Sequence, residues 1–545
     1  MPIALRTRFR FGAALLGMAL GLGSASCTLI IDRSPAQCES DTDCADFPGT
    51  VCTESKVCGA TSCTTNQECA KLGAYQVCQK QTGVCTDLRS SECAVVEGDY
   101  AHDEAFLFGV VVPTEGEAAP TGRSITNAVR LAVDEFEKTA NGLPPVSEGS
   151  SRRPLAFVAC NDNGDANTAV SAARHLTSVG VPAIIGAAFS GITIKMATEV
   201  TIPAQTLVIS PSATSVALTD LADKGLVWRT SPSDVYQAQA MVQYVETVEE
   251  AVREELMLQP MDKVRLAILH KGDAYGSGLG KAIEKDLTLN GAPALGASNI
   301  SHYLRFDYGD PDHPSQNPPK YEQAVEEALE LSPHIILILG TTEAVINVLP
   351  PIEEGWQGAD RPRYALSDGC VVNPLWSYVS TNTELRRRVT GTIAGTTNTL
   401  FQGFRSEYST QFKDGTSPDV VGTAGAYDAT YLLAYSAVSL GDAPITGPAL
   451  AEGLKQMVPP GDHVEVGTED MNKAFNGLQS GGSIDFSGAS GPLNFDVATG
   501  EAPSDIQIWC LPAEPNGAAR SAAGSGLYYN ATTGQLAGMV GSECD

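Results

Sequence analysis

Between Val181 and Asp220 the chain repeats one pattern twice. An apolar run, Val181–Ile185 and then Thr206–Ile209, gives way to Gly, Ser or Ala where a helix should begin. Short β-branched runs alternating with helical segments mark a parallel sheet buried on both faces. In such open α/β sheets ligands lie beyond the carboxyl ends of the strands, against helix N-termini. Small hydroxyl residues there, Ser190, Ser210, Ser212 and Thr214, let main-chain N–H groups and hydroxyls meet a small anion or zwitterion without obstruction. Any one of them is explained as an N-cap. Two such loops in adjacent βα units predict a binding site.

The alternation extends on both sides. Ala105–Val112 reads as a buried strand, Gly122–Lys138 as a helix through Ile125, Val129, Leu131, Ala132 and Phe136, and Leu155–Ala159 as the next strand. A helix through Ala169, Ala172, Ala173 and Leu176 completes a doubly wound lobe. After a helix from Val235 comes a second series. Its strands are Arg265–His270, Ile335–Leu339 and Tyr364–Leu366, with helices near Gly278–Leu289, Tyr321–Leu331 and Glu343–Leu349. The Asp- and Pro-rich stretch Phe306–Pro319 reads as a surface excursion. The chain from His102 onward is longer than one hydrophobic core holds. The expected fold class is therefore α/β, with two doubly wound, Rossmann-like lobes joined by a hinge. The lobes are expected at about 102–234 plus a return segment, and about 235–390 plus a C-terminal part ending near 511, with 512–545 as a Gly/Ser-rich tail. Two such halves imply a cleft between them and closure over a ligand.

The N-terminus reads as an export signal: Arg6, Arg8 and Arg10 precede an apolar run, Phe11–Leu22, too short to span a bilayer. Ser24, Ala25, Ser26 and Cys27 then resemble a lipobox, which implies removal of residues 1–26 and acylation of Cys27, with 27–37 as a tether. Ser24 stands where such motifs usually carry Leu, and plain secretion with cleavage near Ala25 or Ser26 is the alternative. Thr28, not Asp, follows Cys27, which favours anchoring in the outer membrane. The formal net charge of −29 is wrong for binding a phosphate backbone, so nucleic acid is excluded as a partner.

Residues 38–92 hold a cysteine repeat. Cys38, Cys44, Cys52 and Cys58 are spaced C-x5-C-x7-C-x5-C, and Cys63, Cys69, Cys78 and Cys85 are spaced C-x5-C-x8-C-x6-C. With few large apolar residues, each copy needs covalent closure, so the repeat reads as two disulfide modules, a spacer or a docking surface. Zinc is the competing explanation, weakened by the lack of C-x2-C knuckles and nearby His. The remaining cysteines, Cys93, Cys160, Cys370, Cys510 and Cys544, are odd in number once Cys27 is lipidated, so at least one is a free thiol or pairs between chains. A Cys510–Cys544 bridge would staple the last strand to the tail; spacing alone leaves the connectivity open.

Between His102 and Leu511 stand, in order, Pro113-Thr114-Glu115-Gly116 after a strand, the run Ala169–Leu176, Ile185-Gly186-Ala187 leading to Ser190, Ser210-Pro211-Ser212-Ala213-Thr214, Trp228-Arg229-Thr230-Ser231-Pro232, Ala274-Tyr275-Gly276, Ala426-Tyr427-Asp428-Ala429 and Gly488–Asp496. Together these ordered motifs resemble type I periplasmic binding proteins, in particular the leucine/isoleucine/valine-binding branch that serves ABC transporters. The resemblance implies roles at a few positions. Ser190 matches a serine that binds the amino-acid carboxylate, and Ser212 and Thr214 match a pair touching carboxylate and ammonium. Tyr275 matches an aromatic brought down by the second lobe, and Asp368 falls where an acid faces the ammonium. Thr121 stands where a cleft aromatic is often found. As bare sequence, Asp368-Gly369 is equally a solvated turn, and Tyr275 equally a core aromatic.

No GxSxG elbow, HExxH pair, P-loop or CxxC pair occurs, and the seven His residues are scattered. Gly276–Lys281 mimics a phosphate loop without its length, and Asn161–Asp165 mimics a calcium loop with its glycine too early. The chain is therefore expected to be a binding protein rather than an enzyme, with no cofactor. It is expected to be an extracytoplasmic lipoprotein that captures an amino acid or related carboxylate for an ABC permease or membrane receptor. The alternative is a surface protein whose cysteine modules bind a protein or cell-wall partner.

Overall fold

A computed structural model describes residues 37–545, apart from 47–49, 53–54, 61, 81, 148, 381, 396–397, 514–518, 520–521 and 545. The export segment and Cys27 lie outside the described residues. Two compact units are present, one ending at Gly59 and one running from Ala60 to Asp545. In the described residues no helix is long and apolar enough to cross a membrane.

The small unit is crossed by Cys38–Cys52 and Cys44–Cys58. The second cysteine copy repeats that order, first to third and second to fourth, with Cys63–Cys78 and Cys69–Cys85. Each bridge closes a loop of similar size, for which chain-entropy arguments give about 3 kcal/mol. The sulfurs of Cys38, Cys44 and Cys58, and of Cys63, Cys69 and Cys85, lie close together because disulfides cross there, which removes the thiolates zinc would require. The second copy belongs to the large unit and is built into it. Val77, Leu88 and Cys93 share a core with Val158, Leu176 and Val179, His175 Nε2 bonds the Leu88 carbonyl at 2.9 Å, and Cys93–Cys160 ties the connecting segment to the sheet.

The first lobe has six strands: β1 (Val95–Gly98), β2 (Phe106–Val112), β3 (Leu155–Asn161), β4 (Ala183–Gly186), β5 (Leu207–Ser210) and β6 (Val227–Arg229), in the order β6-β5-β4-β2-β3-β1. All pairs are parallel except edge strand β1, which sequence reading missed because its Val-Val-Glu-Gly is short and partly exposed. The second lobe has β7 (Leu266–His270), β8 (Tyr303–Asp307), β9 (Ile335–Leu339), β10 (Arg363–Leu366), β11 (Val389–Ala394), β12 (Ile506–Cys510), β13 (Ala523–Asn530) and β14 (Gln535–Gly538), in the order β8-β7-β9-β10-β11-β12-β13-β14. Its first five strands are parallel and its last three antiparallel. The chain passes between the sheets after β6, after β11 and before β12.

Two expectations are corrected here. Segment 512–545 is not a tail: β13 and β14 extend the second sheet, Tyr529 is buried against Ile506, and Cys510–Cys544 closes the end. Phe306–Pro319 is not wholly a surface excursion: Phe306 and Asp307 finish β8, and Tyr308 and Asp310 are buried. In both places Gly, Ser, Pro or Asp content hid strands whose apolar partners are distant in sequence. Among the described residues the free thiol is Cys370, which is buried.

Helices α1 (Ala119–Glu135), α2 (Ala166–Ser178), α3 (Ser190–Met196), α4 (Asp234–Glu255), α5 (Ala274–Asp286), α6 (Tyr321–Leu331), α7 (Thr342–Asn347) and α8 (Thr423–Ser439) flank the sheets. α8 is apolar nearly all round and buried along its length between α1 and neighbouring return helices, and its Tyr427 and Tyr431 hydroxyls donate to Glu135 Oε2 on α1. Burial, with Glu407 adding to it, pushes the Glu135 carboxyl up to about 8. The folded protein thus holds a proton that the unfolded chain releases near the ordinary value. The stability it contributes is fully present below that value and is lost as pH rises through about 8. Glu135→Gln should flatten this decline in denaturant unfolding measured between the ordinary carboxyl value of 4.5 and pH about 8; equal declines in variant and parent would refute the assignment.

Candidate functional site

Several parallel strands of both sheets deliver their carboxyl ends to one gap between the lobes. β4 leads through Ala187–Phe189 into α3, and β5 leads into Pro211–Ser215. From the other lobe, β7 leads through Lys271–Asp273 into α5, β9 into Gly340-Thr341, and β10 into Ser367-Asp368. A small cavity of about 40 Å³, partly open to solvent, lies in this gap, and its walls include Ser190, Ser212, Tyr275, Asp368 and Thr121. Thr214 lines an adjoining cavity that shares Asp368.

The two loops of the first lobe are stitched together. Ser190 Oγ accepts from the N–H groups of Thr214 and Ser215, each at 3.2 Å, and Ser212 Oγ donates to the Ala188 carbonyl at 2.7 Å. Ser210 Oγ donates to the Ala187 carbonyl at 2.8 Å and accepts from Ala213 N–H. Ser190 therefore keeps its own hydroxyl hydrogen, Ser212 can only accept, and the buried Thr214 side chain faces Asp234. This differs from a simple array of free donors, because the hydroxyls replace a β-ladder between loops that have left the sheet.

Across the gap, Tyr275 and Asp368 work as a unit. Tyr275 Oη donates to Asp368 Oδ1 at 2.5 Å, Gln237 Nε2 donates to the same oxygen at 2.8 Å, and Gly369 N–H donates to Tyr275 Oη at 3.2 Å. Asp368 is 5% exposed, so the pair Asp368-Gly369 is not a solvated turn. Tyr275 is both a core aromatic and an acid-facing hydroxyl. Gly369 is needed for close approach, since a Cβ there would lie 2.5 Å from the Gly340 carbonyl. Burial raises the Asp368 carboxyl above its ordinary value, with Tyr275 and Gln237 pulling it back. Asp234, fully buried at the start of α4, is raised well above the usual range by burial and then by Asp368, with the Thr214 side chain and Arg229 pulling it back.

The sequence pointed to none of Asp234, Gln237 and Lys271. Asp234 reads as an ordinary first-turn acid, though Ser233-Asp234 following the Trp228–Pro232 motif placed it at the crossing between lobes. Lys271, 1% exposed, pairs with Asp312 and with Asp273 at 3.3 Å and lies 5.3 Å from the Phe189 ring of the other lobe. Burial opposes its charge, but Asp273, Asp312 and Glu343 outweigh that and hold it well above the ordinary lysine value. Ser215 Oγ also donates to the Ala274 carbonyl at 2.8 Å, so the lobes touch across the gap.

Two α/β lobes with three crossings and a cavity at facing strand ends define a bilobal binding-protein architecture. A profile of the periplasmic binding protein family matches residues 107–467, well over half of the chain, and the protein belongs to that family. The Leu/Ile/Val-binding protein BraC3 of Rhizobium johnstonii is 28% identical over 185 residues, 34% of this chain and 44% of the relative. The Leu/Ile/Val-binding protein homolog 3 of Brucella melitensis biotype 1 is 26% identical over 206 residues, 37% and 48% of the two chains. The chain thus spans under half the length of the curated relatives it matches. The branched-chain amino acid transporter substrate binding protein LivJ from Streptococcus pneumoniae, solved with isoleucine, superposes with a TM-score of 0.55 at 18% identity, over 77% of this chain and 99% of that one. A solute binding protein of an ABC transporter from Rhodopseudomonas palustris BisB5, solved with 3,4-dihydroxy benzoic acid, gives 0.56 at 14%, over 78% and 98%. These two likenesses are likenesses of fold. The family is one of binding proteins, not enzymes.

Removing Lys271 would leave Asp312 and Asp273 buried without their cation. Lys271→Met should cost about 3–5 kcal/mol in urea unfolding, with part regained on adding Asp312→Asn; a Lys271→Met protein as stable as the parent would refute the role of this cluster.

Proposed function

We propose that this is an extracytoplasmic solute-binding protein that closes its lobes on a small polar solute, an amino acid or related molecule, and presents it to an ABC permease or a membrane receptor. The observation that carries the reading is the cavity at the facing strand ends, with Ser190 and Ser212 on one wall and the Tyr275–Asp368 pair on the other. A zwitterion needs hydroxyl or N–H donors at one end and an acid at the other, and an unmatched charge in such a place would be costly. Ser190 serves the carboxylate, Thr214 and Asp368 the ammonium, and Tyr275 holds Asp368 while contributing its ring. Thr121 and the valines Val371, Val372, Val420 and Val421 set the side-chain space. The family and the six disulfides of the described residues support an oxidising, extracytoplasmic compartment. We further propose a lipid anchor on Cys27, with the outer membrane as its site.

A solute at a hundred times its dissociation constant should add about 2.7 kcal/mol of stability. A thermal-shift screen of amino acids and small carboxylates should find such a solute, and Ser190→Ala and Asp368→Asn should each abolish its shift; a shift surviving both changes would remove the site. Deleting residues 37–59 should leave solute binding intact, whereas a deletion reaching Cys85 should unfold part of the first lobe, because Val77 and Leu88 lie in its core.

A further inference from the structure

Between β8 and α6 the stretch Gly309–Asn317 folds into a closed loop at the contact between the lobes. Asp310 N–H donates to the Asn317 carbonyl at 2.8 Å, and Asn317 Nδ2 donates back to both oxygens of Asp307 at 3.2 Å. Gly309, at a φ of +93°, lets the neck of the loop narrow, since a Cβ there would lie 2.3 Å from the Pro318 carbonyl oxygen. The neck is sewn to the end of β7: Tyr308 N–H donates to the His270 carbonyl at 3.0 Å and Gly272 N–H to the Gly309 carbonyl at 2.9 Å.

The loop delivers Asp312 to Lys271, whose Nζ also meets Asp273 at 3.3 Å and lies 5.3 Å from the Phe189 ring of the first lobe. The loop's other acid and its histidine are occupied locally, because Asp310 accepts from Asp312 N–H at 2.9 Å and pairs with His313 Nδ1 at 3.0 Å. Facing Asp312 from the first lobe is Asp162, fully buried in the turn that leaves β3. Its Oδ1 accepts from Gly164 N–H at 2.9 Å, and its Oδ2 has no hydrogen-bond partner. The charged groups that act on Asp162 are both acids, Asp312 and, in its own turn, Asp165. Glu343 adds to the acids around Lys271, and Glu117 of the first lobe acts on Tyr321 at the start of α6. One ammonium thus stands among more carboxyls than it can neutralise.

A buried carboxyl without a cation is far less costly neutral than charged. Burial pushes Asp162 up to about 7, with the Gly164 N–H pulling it back and Asp312 and Asp165 adding to the rise. Asp312, held by Lys271, is pushed by burial only to about 6. We infer that Gly309–Asn317 is a strap that holds the two lobes closed through Lys271 and Phe189, and that closure takes up a proton on Asp162 where it meets Asp312. When the lobes part, water reaches Asp162 and its value falls back toward the ordinary 3.8. The closed form therefore binds a proton that the open form releases. Its advantage is fully present below the ordinary value and is used up as pH rises to about 7.

Small-angle X-ray scattering of the solute-free, full-length protein tests this. The closing constant should fall about tenfold between pH about 6 and pH about 8, seen as a rise in radius of gyration. Asp162→Asn should stay compact at both values. Glu135 is unaltered in that variant, so the difference between the two proteins reports the strap and not the first-lobe core. If Asp162→Asn does not fold, Asp312→Asn, which leaves Lys271 with Asp273, should show a smaller expansion than the parent. A parent whose radius does not change, or a folded variant that expands as the parent does, would overturn the inference. A solute found by thermal shift together with unchanged scattering would remove the strap and leave solute binding standing. Expansion of the parent alone, with no solute found, would leave the strap and remove the solute reading.

Discussion

A parallel strand buried on both faces can satisfy its polar backbone along the ladder but not at its end, where the chain must leave the sheet and start a helix. In this protein the ends of β4 and β5 and of β7, β9 and β10 open onto one gap, because the chain crosses three times between sheets whose carboxyl edges face each other. The loops that leave β4 and β5 answer the missing ladder with side-chain hydroxyls: Ser190 and Ser210 accept from backbone amides, and Ser210 and Ser212 donate to backbone carbonyls. The site is thus first a solution to a backbone problem. Its chemistry is what remains after that problem is solved.

What remains is set by how buried charge is distributed. The lobes meet through Lys271, whose ammonium is enclosed by Asp273 and Asp312 and faces Phe189. The stretch that bears Asp312 lies in the irregular chain after β8, so a segment rich in Pro and Asp is pinned at the lobe contact by one buried pair. Asp234 and Asp368 have no such paired cation, and Asp368 raises the electrostatic cost of charge on Asp234, against which Arg229 acts.

Much of the fold was legible in the residues. The runs Leu266–His270 and Ile335–Leu339 are fully buried strands bounded by clear helices, and Tyr321–Leu331 is a helix over the very span its periodicity marks. β13 was not legible. Ala523–Asn530 has too many small residues to read as a strand until Tyr529 finds Ile506 and the Gln239 side chain on α4. The same holds for β1, which exists because Cys93–Cys160 brings it beside β3. In the site, the hydroxyl loops announced themselves by type and spacing, whereas Gln237 and Asp234 carried no local sign of where they would face.

By itself the sequence determined the alternation of strand and helix, the position of the small hydroxyl residues at strand ends, and the pairing potential of the cysteine repeats, since each depends on neighbours within a few residues. Only the tertiary structure decided which hydroxyls keep a free hydrogen, which acids lose their solvent, that the second cysteine copy is part of a lobe, and that Ala523–Asn530 and Gln535–Gly538 complete a sheet. Those outcomes depend on desolvation and on partners far away in the chain, such as Gln237 with Asp368 and Tyr275 with the same carboxylate. No local pattern encodes the dielectric surroundings that such meetings create.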